Sequence, residues 1–226
     1  MSIYEKILKA LEACDFDEFT DDNCYKAVYQ KLDFSVFDDN YATGMTKMVL
    51  FPTGLDFVVK LPFLGTWEYQ DIYDKEKDDW FEELTLCPFE GAEEPEGWNY
   101  CEAEVIRYES ACVEGAEKFF LPIKYIGSVH GQPVYVQPKA SIFEYIHNPS
   151  HYPMSERMKT QKICKNLNVR CFNSCWISDF LDTFTHKDLQ LLDTMITDLH
   201  IGDLHDENIG YWNGIPVIID YANFYS

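Results

Sequence analysis

Positive charge is scarce in this chain. Among 226 residues, 18 Lys and Arg stand against 39 Asp and Glu, a formal charge of −21 with His neutral. That balance speaks against direct nucleic-acid binding, which needs a basic stripe to neutralise phosphates. No stretch of about eighteen apolar residues occurs, so no membrane-spanning helix is expected. The start, Met1-Ser2-Ile3-Tyr4-Glu5-Lys6, lacks a basic segment followed by an apolar one, so no secretory signal is expected. The eight cysteines include no C-x-x-C pair. Cys171 and Cys175 have no His-x-x-x-His partner nearby, so zinc is poorly supported. Reduced, mostly buried thiols in a cytoplasm are the simpler expectation.

What is present is material for a core. Hydrophobic residues make up 46% and aromatic residues 16%, which argues for a folded globule and against a disordered chain. Ser2-Ile3-Tyr4-Glu5 has the form of a capping box, and Ile3, Ile7, Leu8 and Leu11 follow at helical spacing. A second helix is expected over 22–32. From Asp33 the period shifts toward two. Strands are expected at 34–37, 47–51 and 55–63, with a loop at 38–46 and a turn at Pro52-Thr53-Gly54. Residues 64–98 form an acidic, aromatic insertion, read as a solvated excursion or as a docking surface for a basic partner. A helix is expected over 99–112, a turn at His130-Gly131 and a strand at 134–137. Mixed helix and loop follow over 140–184. Thr185-His186-Lys187-Asp188 forms another capping box, and Leu189, Leu192, Met195, Ile196 and Leu199 make an apolar stripe to His200.

After that stripe come side chains suited to phosphoryl transfer. Asp203 is followed by Asn208 five residues on and Asp220 twelve beyond that. A loop bracketed by Ile201 and Ile209 can hold Asp203 and Asn208 on one side. A hairpin turning at Asn213-Gly214 returns Asp220 beside them. One carboxylate can then orient an attacking hydroxyl, while an amide oxygen and a second carboxylate hold magnesium on the phosphates.

The string Asp203-Leu204-His205-x-x-Asn208 resembles the catalytic loop of the protein-kinase-like superfamily. It is nearest the branch of the aminoglycoside and choline phosphotransferases and the RIO kinases, which read H-G-D-L-x-x-x-N. Asp220 then matches the metal-binding Asp of the D-F-G motif. Val58-Val59-Lys60 resembles the V-A-I-K lysine that reaches the α/β-phosphates. Ala42-Thr43-Gly44-Met45-Thr46 is similar to the abbreviated S-T-G-K loop of RIO kinases, with Thr43, Gly44 and Thr46 toward phosphate. Glu104 matches the helix glutamate that pairs with the strand lysine, with Glu102 in reserve. Gln137 to Lys139 falls at the hinge that binds adenine through its backbone, and Val58 lies over the base. The chain departs from the family in several places. Gly44 is the lone glycine of its loop, Ile201 stands where the family has His, and Asn223 or Ala222 where D-F-G has Gly. No activation segment or A-P-E motif follows.

The resemblance implies an α+β, two-lobed protein-kinase-like fold over about residues 33–220. Residues 1–32 would be a helical extension. Residues 33–138 would form an N-lobe of five antiparallel strands and a helix, carrying the insertion 64–98. Residues 139–226 would form a reduced, mainly helical C-lobe. The implied activity is an ATP- and Mg²⁺-dependent phosphotransferase of unassigned acceptor. Asp203 would be catalytic, Asn208 and Asp220 would bind metal, and Lys60 would meet nucleotide phosphates. A non-catalytic pseudokinase or acidic interaction protein holding a basic partner is the competing expectation, and an acidic blocker of a nucleic-acid-binding protein a third. Nucleotide and a basic protein partner or substrate are the expected partners, without membrane or direct nucleic acid.

Overall fold

Ser2 opens helix α1 (Ile3–Glu12) through the expected reciprocal cap. Its hydroxyl accepts from the Glu5 N–H, and the Glu5 carboxylate accepts from the Ser2 N–H. The computed structural model describes residues 1–14, 29–44, 46–63, 65–75, 77–88, 99–142, 162, 165, 177–202, 204 and 206–222, with backbone alone at 65–70, 83–88, 142, 177–178 and 206. Most of the helix expected over 22–32 lies outside them. The chain divides into two compact units, Met1–Cys101 with Tyr125–Val136, and Glu102–Lys124 with Gln137–Ser226. Among the described residues no helix is long and apolar enough to cross a membrane.

The first unit is organised by a five-stranded antiparallel sheet, so the chain is of mixed α+β class. Its strands are β1 (Phe37–Thr43), β2 (Lys47–Pro52), β3 (Phe57–Pro62), β6 (Lys124–Val129) and β7 (Gln132–Pro138), in the order β1-β2-β3-β7-β6. Met48, Leu50, Val59, Leu61, Val134 and Val136 join Ile7 and Leu11 of α1 in one buried cluster. The expected turn at His130-Gly131 joins β6 to β7, both residues having positive φ, 50° and 82°.

The first strand is displaced from its expected place. Residues 34–36 form a turn, because the Asp33 carboxylate accepts from the Ser35 N–H at 2.9 Å and the Asp33 carbonyl accepts from Val36 and Phe37. The strand then runs through Asp38-Asp39-Asn40, expected as loop. Its register against β2 is irregular between Phe37 and Tyr41, which suits a polar edge strand. The insertion holds a two-stranded ribbon, β4 (Gly65–Asp74) and β5 (Asp79–Pro88), that forms a sheet of its own.

The second unit carries most of α2 (Tyr100–Glu114), then β8 (Ser141–Ile142), α3 (Ile177–Thr183), α4 (His186–Asp198), β9 (Ile209–Trp212) and β10 (Ile215–Ile218). Strands β8 to β10 form a three-stranded sheet, and Phe119, Phe120, Phe180, Leu189, Leu192, Ile196, Ile209 and Ile218 are buried. Helices α2 and α4 end alike. In α2, Ala116 N–H donates to Ala111 and Gly115 N–H to Cys112, with Gly115 at φ 69°. In α4, Ile201 N–H donates to Ile196 and His200 N–H to Thr197, with His200 at φ 50°. Both are Schellman endings, and Ile196 and Ile201 supply the accompanying apolar pair.

Two outcomes are expected. His200→Gly relieves the left-handed strain that α2 avoids with Gly115, and should stabilise the protein by about 1 kcal/mol in urea denaturation. Asp188 caps α4 through Thr185 and pairs with Lys118, and that ammonium, followed by the Thr185 hydroxyl, holds its carboxyl down at about 2. A depressed acid contributes stability that is present above its ordinary 3.8 and lost as pH falls through about 2. The stability gap between wild type and Asp188→Asn should therefore be flat above that ordinary value and close below it.

Candidate functional site

The polar segment begins where α4 ends. Ile201 and Ile209 are both buried, the bracketing expected of the loop between them. Asp203 lies outside the described residues. Asp206–Asn208 form one short helical turn that delivers Asn208 to the start of β9. The β9–β10 hairpin then reverses at Asn213-Gly214, both with positive φ (52° and 77°), the backbone that a two-residue type I′ turn demands. Its register pairs Trp212 with Ile215 and Ile209 with Ile218. One more bond extends it: Ile219 N–H donates to the Asn208 carbonyl at 2.8 Å. Asp220 follows at once, so Asn208 and Asp220 are brought to the same open end of the hairpin, both half-buried. On the far side, Gly210 lets β9 approach β8. A Cβ there would stand 2.7 Å from the Ser141 carbonyl oxygen, and that oxygen belongs to backbone.

The residues around Asp220 are anchored through the backbone of one residue, Leu121. Leu121 N–H donates to the Ile218 carbonyl at 2.9 Å, laying residues 120–121 alongside β10. The Leu121 carbonyl accepts from the Tyr221 hydroxyl at 2.8 Å and from Gln137 Nε2 at 3.2 Å. Tyr221 also meets Phe120 edge to face at 5.1 Å between centroids. Burial pushes the Tyr221 phenol well up, and the nearby charges of Glu104 and Asp220 push the same way, so it stays a neutral donor. Glu104 is fully buried on α2, whereas Glu102 is exposed. Arg107, one turn beyond Glu104, donates from Nε to the Leu199 carbonyl at 3.1 Å, giving the C-terminus of α4 a cation that its own last turn lacks.

In the first unit Lys60 is 5% exposed within β3. Its neighbours Val59 and Leu61 belong to the core cluster under α1, so Lys60 and Val58 point to the opposite face of the sheet. The β1–β2 connection closes through Gly44 N–H donating to the Lys47 carbonyl at 3.1 Å, and Phe63 N–H donates to the Thr46 carbonyl at 2.9 Å. Thr43 and Gly44 are exposed and Thr46 half-exposed. At Gly44 no atom lies within 4 Å of a built Cβ, and φ lies outside the left-handed region. Neither packing nor strain calls for glycine there, and its absent side chain leaves the backbone open to an approaching group. Of the expected hinge residues, Gln137 spends its side chain on Leu121 and Lys139 is exposed.

The structure therefore brings together Asn208 and Asp220, and sets Glu104 near enough to act on the phenol beside Asp220. Among the described residues no three His, Cys, Asp or Glu side chains cluster as a metal site. Magnesium does not need such a cluster, since it is commonly held by one or two protein oxygens with waters and substrate phosphates completing its shell. The Asn208 amide oxygen and the Asp220 carboxylate fit that donor set. Buried Lys47, Arg107 and the Tyr221 hydroxyl are not among the residues expected at the site. Lys47 had a signal, a lysine opening an apolar strand, but Arg107 and Tyr221 act on carbonyls that no motif marks. Comparison with known proteins gives no family model, no curated protein and no solved structure that matches this chain.

Tyr221→Phe removes one of the two donors to a buried carbonyl that keeps the other, so it should cost about 1 kcal/mol in denaturant unfolding. Pairing it with Gln137→Leu, which removes the second donor, should cost more than the sum of the single changes.

Proposed function

We propose that this chain is an ATP- and Mg²⁺-dependent phosphotransferase built on a two-lobed protein-kinase-like fold and working in a cytoplasm. The observation that carries the reading is the Ile219–Asn208 backbone hydrogen bond, which puts Asn208 beside the residue before Asp220, so that the two candidate metal ligands, twelve residues apart in sequence, share one end of a hairpin. The five-stranded antiparallel sheet supports it too, with a short loop in its first hairpin and a buried lysine on its third strand. Asp203 orients the acceptor hydroxyl and takes its proton as charge moves to the transferred group, so positioning supplies most of the rate. Asn208 and Asp220 hold the cation, which when bound neutralises charge on the phosphates. Lys60 meets phosphate oxygens, Thr43 and Thr46 offer their hydroxyls, Gly44, whose N–H is held by the Lys47 carbonyl, keeps the loop free of a side chain, and Val58 packs on the base. Glu104 keeps the role the resemblance gives it, and full burial suits a carboxylate with a fixed partner.

A second reading has one observation in its favour. On the ribbon, Trp80 is 64% exposed, and the register sets Asp71 opposite Glu82, whereas Asp74, opposite Asp79, already pairs with Lys77 at 2.9 Å. Like charges directly opposite destabilise a strand pair, so a basic partner laid on this ribbon would relieve them. In that reading the chain holds a partner without transferring phosphate.

Thermal unfolding with ATP separates the two. At a hundred times its dissociation constant a ligand adds about 2.7 kcal/mol, or roughly 5–10 °C for a chain of this size. A phosphotransferase should show that shift with Mg²⁺ and a smaller one without it, and Asp220→Asn should remove the difference. Asp203→Asn should keep the shift and lower transfer by about 10²–10⁴-fold. No shift at millimolar ATP favours the interaction protein, and an Asp203→Asn variant that transfers as fast as wild type removes the role given to that carboxylate.

A further inference from the structure

The register of the β4–β5 ribbon sorts its side chains onto two faces. Tyr73 is paired with Trp80 and Asp71 with Glu82. Residues directly opposite share a face, as do residues two apart on one strand. Tyr73, Trp80, Asp71 and Glu82 therefore stand on one face, while Phe81 and Asp79 lie on the other. All four are exposed, Trp80 to 64% and Tyr73 to 39%. The ribbon forms a sheet of its own. A two-stranded ribbon is marginal in water, so a surface laid on its exposed face would steady it.

The two rings make a platform. Their centroids lie 5.2 Å apart with the planes at 48°, and the Tyr73 hydroxyl donates to Asp78, which fixes one ring. One rung along, Asp71 and Glu82 are directly opposite, and like charges so placed destabilise a strand pair. Neither carboxylate has a hydrogen-bond or ion-pair partner among the described residues, and Lys77 is taken by Asp74. Nor does a cation of the chain cover the rings, since among the described residues the cation over a ring is Lys118 on Phe119. Exposed acids alone attract any cation. The rings beside them favour a flat one. A guanidinium is planar, stacks on an indole by its face and offers its edge donors to carboxylates, whereas an ammonium is a compact point charge. The two rungs are about 7 Å apart along the strands, a span that one arginine side chain covers. The local field agrees, because residues 71–82 carry six carboxylates against two lysines.

We infer that this face of the ribbon binds an arginine side chain presented by an extended segment of a basic protein partner. The guanidinium lies over Trp80 and Tyr73 and pairs with Asp71 and Glu82. This rests on the reading of the ribbon as a partner surface and is independent of phosphoryl transfer.

The test uses the whole chain, titrated calorimetrically at low salt with a short arginine-rich peptide and with its lysine counterpart. Wild type should bind the arginine peptide several-fold more tightly. Asp71→Asn combined with Glu82→Gln should weaken that peptide by about 5- to 10-fold, and the loss should shrink at high salt. Trp80→Ala should weaken it by about 3- to 10-fold and Trp80→Phe by less. Asp79→Asn removes one charge from the opposite face and should cost less than Asp71→Asn. Without peptide, the Asp71→Asn, Glu82→Gln variant should melt no lower than wild type, because it removes a like-charge pair. If the two peptides bind equally, if Trp80→Ala binds as wild type does, or if Asp79→Asn costs as much as Asp71→Asn, the attraction is general to an acidic ribbon; the inference then fails while the partner reading stands. If the Asp71→Asn, Glu82→Gln variant melts well below wild type, those carboxylates are structural and the inference fails. If wild type binds neither peptide, the inference and the partner reading fail together.

Discussion

The backbone of Leu121 ties together the segment around Asp220 in the second unit. Its N–H holds β10 through Ile218, and its carbonyl takes both the Tyr221 hydroxyl and the Gln137 amide. A buried carbonyl has two lone pairs, and here both are used. Asp220 is held between neighbours that Leu121 and the hairpin engage on either side, Ile219 through Asn208 and Tyr221 through Leu121. Raising the Tyr221 phenol keeps its proton, so the anchor does not titrate over any ordinary pH.

The second constraint is the cost of burying charge in a chain that carries so much of one sign. Among the described residues most carboxylates are exposed to water, where they cost little. The buried exceptions among the described residues are few: Glu104 and Asp193 among the acids, Lys47 and Lys60 among the bases. A buried ion is retained against the pull of its own hydration only where partners compensate it. Charges kept inside are for that reason better markers of function than the acidic surface, whose composition serves equally for solubility and for docking.

Legibility in the sequence followed the range of the interaction. The caps of α1 and α4 were readable because Ser2 with Glu5 and Thr185 with Asp188 satisfy backbone donors three residues away. The turn at Asn213-Gly214 was readable because few other residues accept positive φ at both places. The start of β1 was not, because the Asp33 turn competes locally with strand and wins. The polar run Asp38-Asp39-Asn40 then looked like loop when it is the edge of a sheet. Helix geometry said only that Glu104 and Glu102 cannot both face inward, the resemblance chose Glu104, and in the structure Glu104 is buried and Glu102 exposed. The ribbon's pairing and the Tyr221–Leu121 bond join residues that no local pattern matches to each other.

Lys47 is the clearest case of a residue whose meaning waits on register. In the sequence it is a lysine opening an apolar strand, which reads equally well as an end exposed to water. Its face is decided only when Val49 is known to oppose Lys60, and that depends on how the turn from Pro52 to Asp56 sets the pairing. Shift the register by one residue and Lys47 falls under α1 among leucines, where an ammonium has no compensation. The observed pairing puts both lysines on the face away from that core. An acidic chain repels a phosphate-bearing ligand at long range and can hold one only through cations placed at short range. Among the described residues Lys47 and Lys60 are the buried cations of the first unit.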